Sequence, residues 1–236
     1  MDDVLTRLRA ELAANADAKT LSSFRRFFKE DVKCYGVKTG IVGKISTKYW
    51  KEITNLPKQK IFDLCEDLLK TDYTEEAFIV SNWVPRLTGK FEAGDLTIFH
   101  DWIEKYLNNW AKCDSFCNHT IGNFMDKYPA KVDELEKWAK SSNRWVKRAA
   151  AVSLIVPAKE GRFIENVFRI SDILLLDKDD LVQKGYGWLL KQASRRHQDE
   201  VLRYVVKNKR VMPRTALRYA IELMPMELRS EAMKKE

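Results

Sequence analysis

Long apolar runs are missing from this 236-residue chain: none approaches the ~20 residues that a membrane-spanning helix requires. The opening Met1-Asp2-Asp3-Val4 also lacks the basic-then-apolar layout of a secretory signal, so a soluble, cytoplasmic protein is expected. Glycine and proline are scarce, at 9 and 6 residues, and the chain is 45% hydrophobic and 32% charged, which excludes the disordered and low-complexity classes. Only four cysteines occur, Cys34, Cys65, Cys113 and Cys117, and their spacing is not that of a disulfide framework. Reduced thiols are therefore expected. Cys113 and Cys117 lie one helical turn apart, but no further Cys or His at ligand spacing joins them, so no metal site is predicted.

The familiar catalytic signatures are absent too. There is no GxxxxGK[ST], no GxGxxG between a strand and a helix, no HExxH and no GxSxG. His100, His119 and His197 have no partners at diagnostic spacing and read as surface or satisfied helix positions. Alternating strand patterns bounded by Asn-Gly or Asp-Gly do not occur.

What remains is helical. Apolar residues recur at helical period in Val4-Leu5-Leu8-Leu12, in Ile61-Phe62-Cys65-Leu68-Leu69 and in Val201-Leu202-Tyr204-Val205. Start signals agree: Thr74 precedes Glu75 and Glu76, and acids at 177–180 precede Leu181. The pattern predicts helices over 2–15, 18–30, 39–54, 57–70, 73–87, 93–107, 109–127, 130–140, 142–156, 160–174, 178–195, 198–207, 210–223 and 226–234. Short connections between them suit antiparallel neighbours, and paired helices repeating near every ~40 residues suit HEAT-like units. The expected fold is all-α, a curved α-solenoid of HEAT-like repeats. No composition shift marks a linker, so one domain over 1–236 is expected.

Charge is unevenly placed. Residues 1–118 hold as many Lys and Arg as Asp and Glu, so the net +8 falls entirely in residues 119–236. Surplus positive charge on one side is the footprint of a polyanion, nucleic acid first among them; an ordinary basic protein with a solvated face is the other reading.

Three segments carry candidate chemistry. Trp110 and Asp114, four residues apart, project from one helix face, either as a ring and a carboxylate lining a cleft or as a core Trp with a surface Asp. Asn143-Arg144-Trp145-Val146-Lys147-Arg148-Ala149-Ala150-Ala151 offers small residues for a close helix contact and cations on another face. Gln183-Lys184-Gly185-Tyr186-Gly187-Trp188 places two glycines inside a helix, each costing about 1 kcal/mol against Ala, which calls for a close approach by a neighbour or ligand. Trp110, Arg148 and Trp188 recur at about one repeat, and Phe27 precedes Trp110 by about two, so repeat stacking would line them along one concave, basic groove.

Trp-x-x-x-Asp-Ser at 110–115, Asn-x-Trp-x-x-Arg-Ala-Ala at 143–150 and Gln-Lys-x-x-Gly-Trp-x-Leu at 183–190 together resemble the bacterial DNA alkylation-repair glycosylases of the AlkD type. Phe27-Phe28-Lys29 and Tyr35-Gly36-Val37-Lys38-Thr39 fall where that family has its first-repeat motif. The resemblance implies a DNA glycosylase of base excision repair, a monofunctional hydrolase of the N-glycosidic bond of cationic N3- or N7-alkylated purines, acting without base flipping. It implies Asp114 as the catalytic carboxylate, with Trp110 and Trp188 as rings about the damaged nucleotide's sugar. Arg148 is implied as a phosphate contact. Position 27 carries Phe where the best-known members have Tyr, which keeps the ring and loses a hydroxyl. Arg144, Lys147, Lys184 and Lys191 are further candidates for DNA binding, followed by Arg195, Arg196, Lys207, Lys209, Arg210, Arg214 and Arg218. The expected partner is double-stranded DNA containing alkylated purines, bound by a monomer with no cofactor, metal or membrane. The alternative is a catalytically silent relative that binds damaged or branched DNA.

Overall fold

The computed structural model describes residues 2–28 and 31–234, and all its regular elements are helical. The chain forms two compact units, Met1–Phe116 and Cys117–Glu236. Among the described residues no helix is long and apolar enough to cross a membrane.

The first unit runs through α1 (Asp2–Ala14), α2 (Ala18–Phe27), α3 (Thr39–Ile53), α4 (Lys58–Leu69), α5 (Thr74–Trp83), α6 (Asp95–Tyr106) and α7 (Trp110–Phe116). The apolar stripe of α1, Leu5, Leu8 and Leu12, is buried, as the period-3.6 spacing requires. The α3, α4 and α5 helices enclose Ile61, Phe62, Trp83 and Val84, and an aromatic cluster of Phe62, Phe91, Phe99, Trp102 and Phe116 fills the far end. The indole N–H of Trp83, deep in the core, donates to the Ser46 carbonyl at 2.9 Å, so its one polar group is satisfied.

The second unit holds α8 (Gly122–Lys127), α9 (Glu134–Ala139), α10 (Arg144–Val152), α11 (Ile155–Lys159), α12 (Ile164–Leu174), α13 (Asp180–Ala193), α14 (Gln198–Asn208), α15 (Arg214–Ala220) and α16 (Met226–Met233). Its centre is α13, which touches α10, α11, α12 and α15. Asn143 caps α10 by accepting from the Trp145 N–H, and Asp179 caps α13 by accepting from Leu181 and Val182.

The repeat expected from helix spacing is visible in the bonds between neighbouring helices. In the first unit Lys48 reaches Glu11 across 37 residues, Lys58 reaches Asp95 across 37, and Tyr106 reaches Glu66 across 40. In the second, Arg162 reaches Asp126 across 36, His197 reaches Gly161 across 36, and Tyr204 reaches Asp172 across 32. Each bond joins one helix pair to the next, which is how a stack of repeats buries its faces.

Several helices are shorter or more broken than their apolar pattern suggests. The helix expected over 18–30 ends at Phe27, and Lys29 and Glu30 lie outside the described residues. Pro85 turns the end of 73–87 into a 3-10 segment, Val84–Lys90, because proline cannot supply the next helical N–H. The helix expected over 109–127 contains a π-helical turn at Cys117–Ile121. The one expected over 142–156 breaks after Val152 and restarts at Ile155, while 160–174 starts only at Ile164, after Gly161 and Phe163 adopt positive φ. Apolar periodicity sees none of these interruptions, since a broken helix keeps its buried face.

Candidate active site

The first unit holds two fully buried carboxylates. Glu75 and Glu76, in the first turn of α5, are fully buried. The Glu75 carboxylate accepts from three consecutive backbone N–H groups, Tyr35 at 3.1 Å, Gly36 at 2.8 Å and Val37 at 3.0 Å. Such a nest of N–H donors replaces the hydration a buried anion loses. Glu76 accepts from Arg9 Nε at 3.1 Å and from the Tyr35 hydroxyl at 2.7 Å. Burial, then the Glu76 carboxylate, pushes the Tyr35 phenol well above its usual range, so it stays a donor. Gly36 sits at φ +90°, and a Cβ there would fall 2.7 Å from Leu21 Cβ. This is the physical reason for glycine in the Tyr35-Gly36-Val37 motif. Thr74, expected as a start signal, is the first residue of α5 and bonds the Lys33 carbonyl through both its N–H and its hydroxyl.

This clamp fixes the segment after α2, and with it an aromatic cluster. Phe28, Val32 and Ala111 form a small apolar cluster with Phe24, Cys34, Phe78 and Trp110 packed on it. Phe28 stacks on Trp110 at 5.4 Å between ring centroids. Phe27 meets the same indole edge-on at 5.4 Å, yet is 70% exposed. An aromatic ring so open to water, braced from behind by a half-buried indole, is a surface offered to a flat or apolar ligand.

The α7 helix presents Trp110 and Asp114. Its start is capped by Asn109, whose side chain accepts from the Lys112 N–H at 2.9 Å. Lys112 is itself buried; its ammonium donates to the Asp72 carboxylate at 2.5 Å, the Asp72 carbonyl at 2.8 Å and Asn108 Oδ1 at 3.0 Å. Burial lowers its pKa despite those acceptors. Asp72 holds φ +67°, an uncommon conformation for a residue with a side chain. The expected contrast of a core Trp with a surface Asp is reversed: Trp110 is half-buried and Asp114 is buried at 8% exposure.

In the second unit the glycines explain themselves. A Cβ on Gly187 would come within 2.8 Å of the Ala216 carbonyl and of Tyr219 Cβ, so glycine allows the close crossing of α13 and α15. Gly185 makes room for Arg148, whose Cγ lies 3.4 Å and whose Nη1 lies 3.6 Å from the position a Cβ would take. Arg148 is buried and donates to the Leu181 carbonyl. Trp188, one turn beyond Gly185 on the same helix face, is half-buried. Arg148 of α10 thus packs against the face of α13 that carries Gly185 and, one turn on, Trp188.

Four of the other expected DNA contacts are engaged with acids. Arg144 bonds Asp179 and Lys147 bonds Asp177, while Lys184 pairs with Asp180 at 2.6 Å and Lys191 with Glu222 at 2.8 Å. The Arg144 and Lys147 pairs tie α10 to the start of α13, the Lys191 pair ties α13 to the chain just after α15, and the Lys184 pair lies within α13. His197 is satisfied by the Gly161 carbonyl at 3.1 Å and by Glu200 at 3.3 Å, in keeping with a structural role. All four cysteines are free, and Cys65, Cys113 and Cys117 are buried.

Fold and side chains together define a helical-repeat protein with a carboxylate and aromatic cluster in one unit and its positive surplus in the other. The chain belongs to the DNA alkylation repair enzyme family, whose model matches residues 8–224. Membership gives it a role in alkylation DNA repair. A solved structure of a predicted DNA alkylation repair enzyme from Enterococcus faecalis shares the fold, with a TM-score of 0.80 at 15% identity, covering 90% of this chain and 98% of that one. No curated protein sequence matches.

Sequence reasoning passed over Phe28, Glu75, Asn109 and Lys112. For Asn109 a signal existed, since Asn followed by a helical run is a cap pattern. For Glu75 and Lys112 there was none, because the N–H groups that hold Glu75 lie 38–40 residues away and Asp72, the charge partner of Lys112, lies 40 away.

Proposed function

We propose that the protein is a monofunctional DNA glycosylase that hydrolyses the N-glycosidic bond of cationic N3- and N7-alkylated purines in duplex DNA, without base flipping. The observation that carries this reading is the buried Asp114 carboxylate one helical turn from Trp110, a half-exposed indole that supports the open ring of Phe27.

The chemistry suits these residues. An N7- or N3-alkylated purine already bears positive charge and departs as a neutral base, so no general acid is required. As the bond between C1′ and the base nitrogen breaks, positive charge grows on the deoxyribose. A carboxylate near that sugar stabilises the developing cation and orients the water that adds to C1′, the displaced proton passing to solvent. Trp110 and Trp188 add the attraction of aromatic faces for a cation, which strengthens only as that charge appears. Arg148 contacts a phosphate, and Phe27 presses on the strand through its ring alone. Arg144, Lys147, Lys184 and Lys191 contribute to DNA binding by exchanging their carboxylate partners for phosphates. In this reading residues 1–236 act as one repeat domain and as a monomer in the cytoplasm.

The test is release of 7-methylguanine from methylated duplex DNA by wild type and by Asp114→Asn. Wild type is expected to release the base, and Asp114→Asn to lose on the order of 100-fold or more in rate. Its affinity for DNA is expected to persist. Equal release by both proteins removes Asp114 from the mechanism, and no release by wild type leaves a DNA-binding protein without this activity.

A further inference from the structure

We propose that the cleft between α15 and α16 is a binding site for a small amphipathic carboxylate, a molecule with an apolar chain and one anionic head. The site is independent of the reading above, since it needs neither DNA nor Asp114.

The local sequence opens the cleft. After α15 the chain turns through residues 221–224, and Pro225 leads into α16. Of the α16 side chains only Ala232 is buried, and the helix packs chiefly on α14. A helix anchored by one methyl group leaves room beside its other neighbour. That room is a cavity of about 590 Å³, a size that small ligands occupy.

The lining divides into two chemistries. Ile221, Met226 and Met233 make it apolar. Met226 is 75% exposed, the most exposed large hydrophobic side chain among the described residues. Unbranched thioether side chains of this kind adapt readily to an apolar guest. Arg218 and Arg229 line the same cavity. Among the described residues neither guanidinium has an ion-pair partner, whereas Arg144, Arg162 and Arg169 of the same unit each hold a carboxylate. Glu222 is the acid of the lining, and its carboxylate is taken by Lys191 at 2.8 Å.

Together the two chemistries select the occupant. A phosphodiester strand or an inorganic anion would satisfy Arg218 and Arg229 but leave Met226 in water. A neutral hydrocarbon would cover Met226 and Met233 but strip water from two cations without replacing it. An amphipathic carboxylate does both, because the planar fork of a guanidinium matches a carboxylate head while the chain lies on the methionines.

The experiment follows the methyl resonances of Met226 and Met233 by NMR as sodium decanoate, octanoate or acetate is added to the full chain. Decanoate is expected to shift both methyls saturably, with one molecule bound. Octanoate is expected to bind roughly tenfold more weakly for want of two buried methylenes, and acetate to leave both methyls unmoved. Decanol, which keeps the chain and lacks the charge, is expected to bind about tenfold more weakly than decanoate. Arg229→Gln, at an exposed position, is expected to lower decanoate affinity by about the same factor with thermal unfolding unchanged. Equal binding of decanol and decanoate by wild type overturns the proposal, with no variant needed. An equal response to acetate overturns it too, since the cavity would then take any anion. So does self-association that buries both methyls before ligand is added, which would make a second copy of this chain the occupant. Decanoate that moves neither methyl overturns it outright.

Discussion

Residues 1–116 carry as many acids as bases, and the structure uses those charges internally: Glu75 on three backbone N–H groups, Glu76 on Arg9 and Tyr35, and Lys112 on Asp72 and Asn108. Residues 117–236 hold the whole positive surplus, and there the critical positions are shaped by absent atoms, at Gly185 and Gly187. The first unit holds its aromatic residues and carboxylate in place by polar bonds that are costly to break. The second is assembled by close approach of helices and leaves cations over. One strategy fixes geometry; the other supplies field. Duplex chemistry of the proposed kind needs both, since a fixed carboxylate acts only on a strand that positive charge has drawn in.

The largest effect that would sharpen this contrast is expected from Glu75→Ala. It leaves the N–H groups of Tyr35, Gly36 and Val37 without their acceptor, at a cost of about 3 kcal/mol or more in the first unit. Chemical denaturation checks it, and a loss below about 1 kcal/mol would show that the nest is solvated rather than structural. Gly187→Ala comes next. The added methyl meets backbone at 2.8 Å, so about 1–3 kcal/mol is expected, while Gly185→Ala, at 3.4 Å from a flexible Arg148 side chain, is expected to cost less. Equal effects at the two glycines would break the claim that close helix approach is what organises α13. Lys112→Met removes a buried cation but leaves Asp72 half-exposed to water, so about 1–2 kcal/mol is expected, with Lys112→Arg no full substitute for three converging acceptors.

The smallest effect concerns pH. Burial pulls the Asp179 carboxyl upward, but the Arg144 guanidinium and the Leu181 and Val182 N–H groups outweigh it, and the pKa ends below the usual range. Folding therefore gains from this group above its unfolded pKa of about 3.9 and loses that gain as pH falls further through the depressed value. The gain is about 1 kcal/mol or less, since Arg144 is half open to solvent. Asp179→Asn, which keeps the cap, is expected to lower the thermal midpoint at pH 7 by the equivalent of that small gain, and to flatten its fall below pH 4, so that the two proteins converge in acid. A parallel fall in both proteins would contradict it.

Legibility differed by residue in a physically consistent way. Local signals were readable: the acidic start of α13 at 177–180, the α1 stripe, and the need for close approach at Gly185 and Gly187 all depend on neighbours within a turn or on a missing side chain. Glu75 and Lys112 were not, because charged residues are ordinarily solvated and only a distant segment makes their burial tolerable. Phe27 misleads in the opposite sense, as an aromatic residue that stays in water. The order of the Trp110, Arg148 and Trp188 motifs was legible as a family resemblance, whereas the acids facing Arg144 and Lys147 became visible only once α10 and α13 were side by side.

The bonds that reach from each helix pair to the next have a kinetic consequence. Most polar tethers close loops of about the same modest length, so no step in assembly waits for remote parts of the chain to find each other. Such a polypeptide is expected to acquire structure progressively as it leaves the ribosome, one hairpin of helices templating the next. Arg9 is the exception: its reach to Asp67 and Glu76 makes the start of the chain wait for α4 and α5 before α1 is locked.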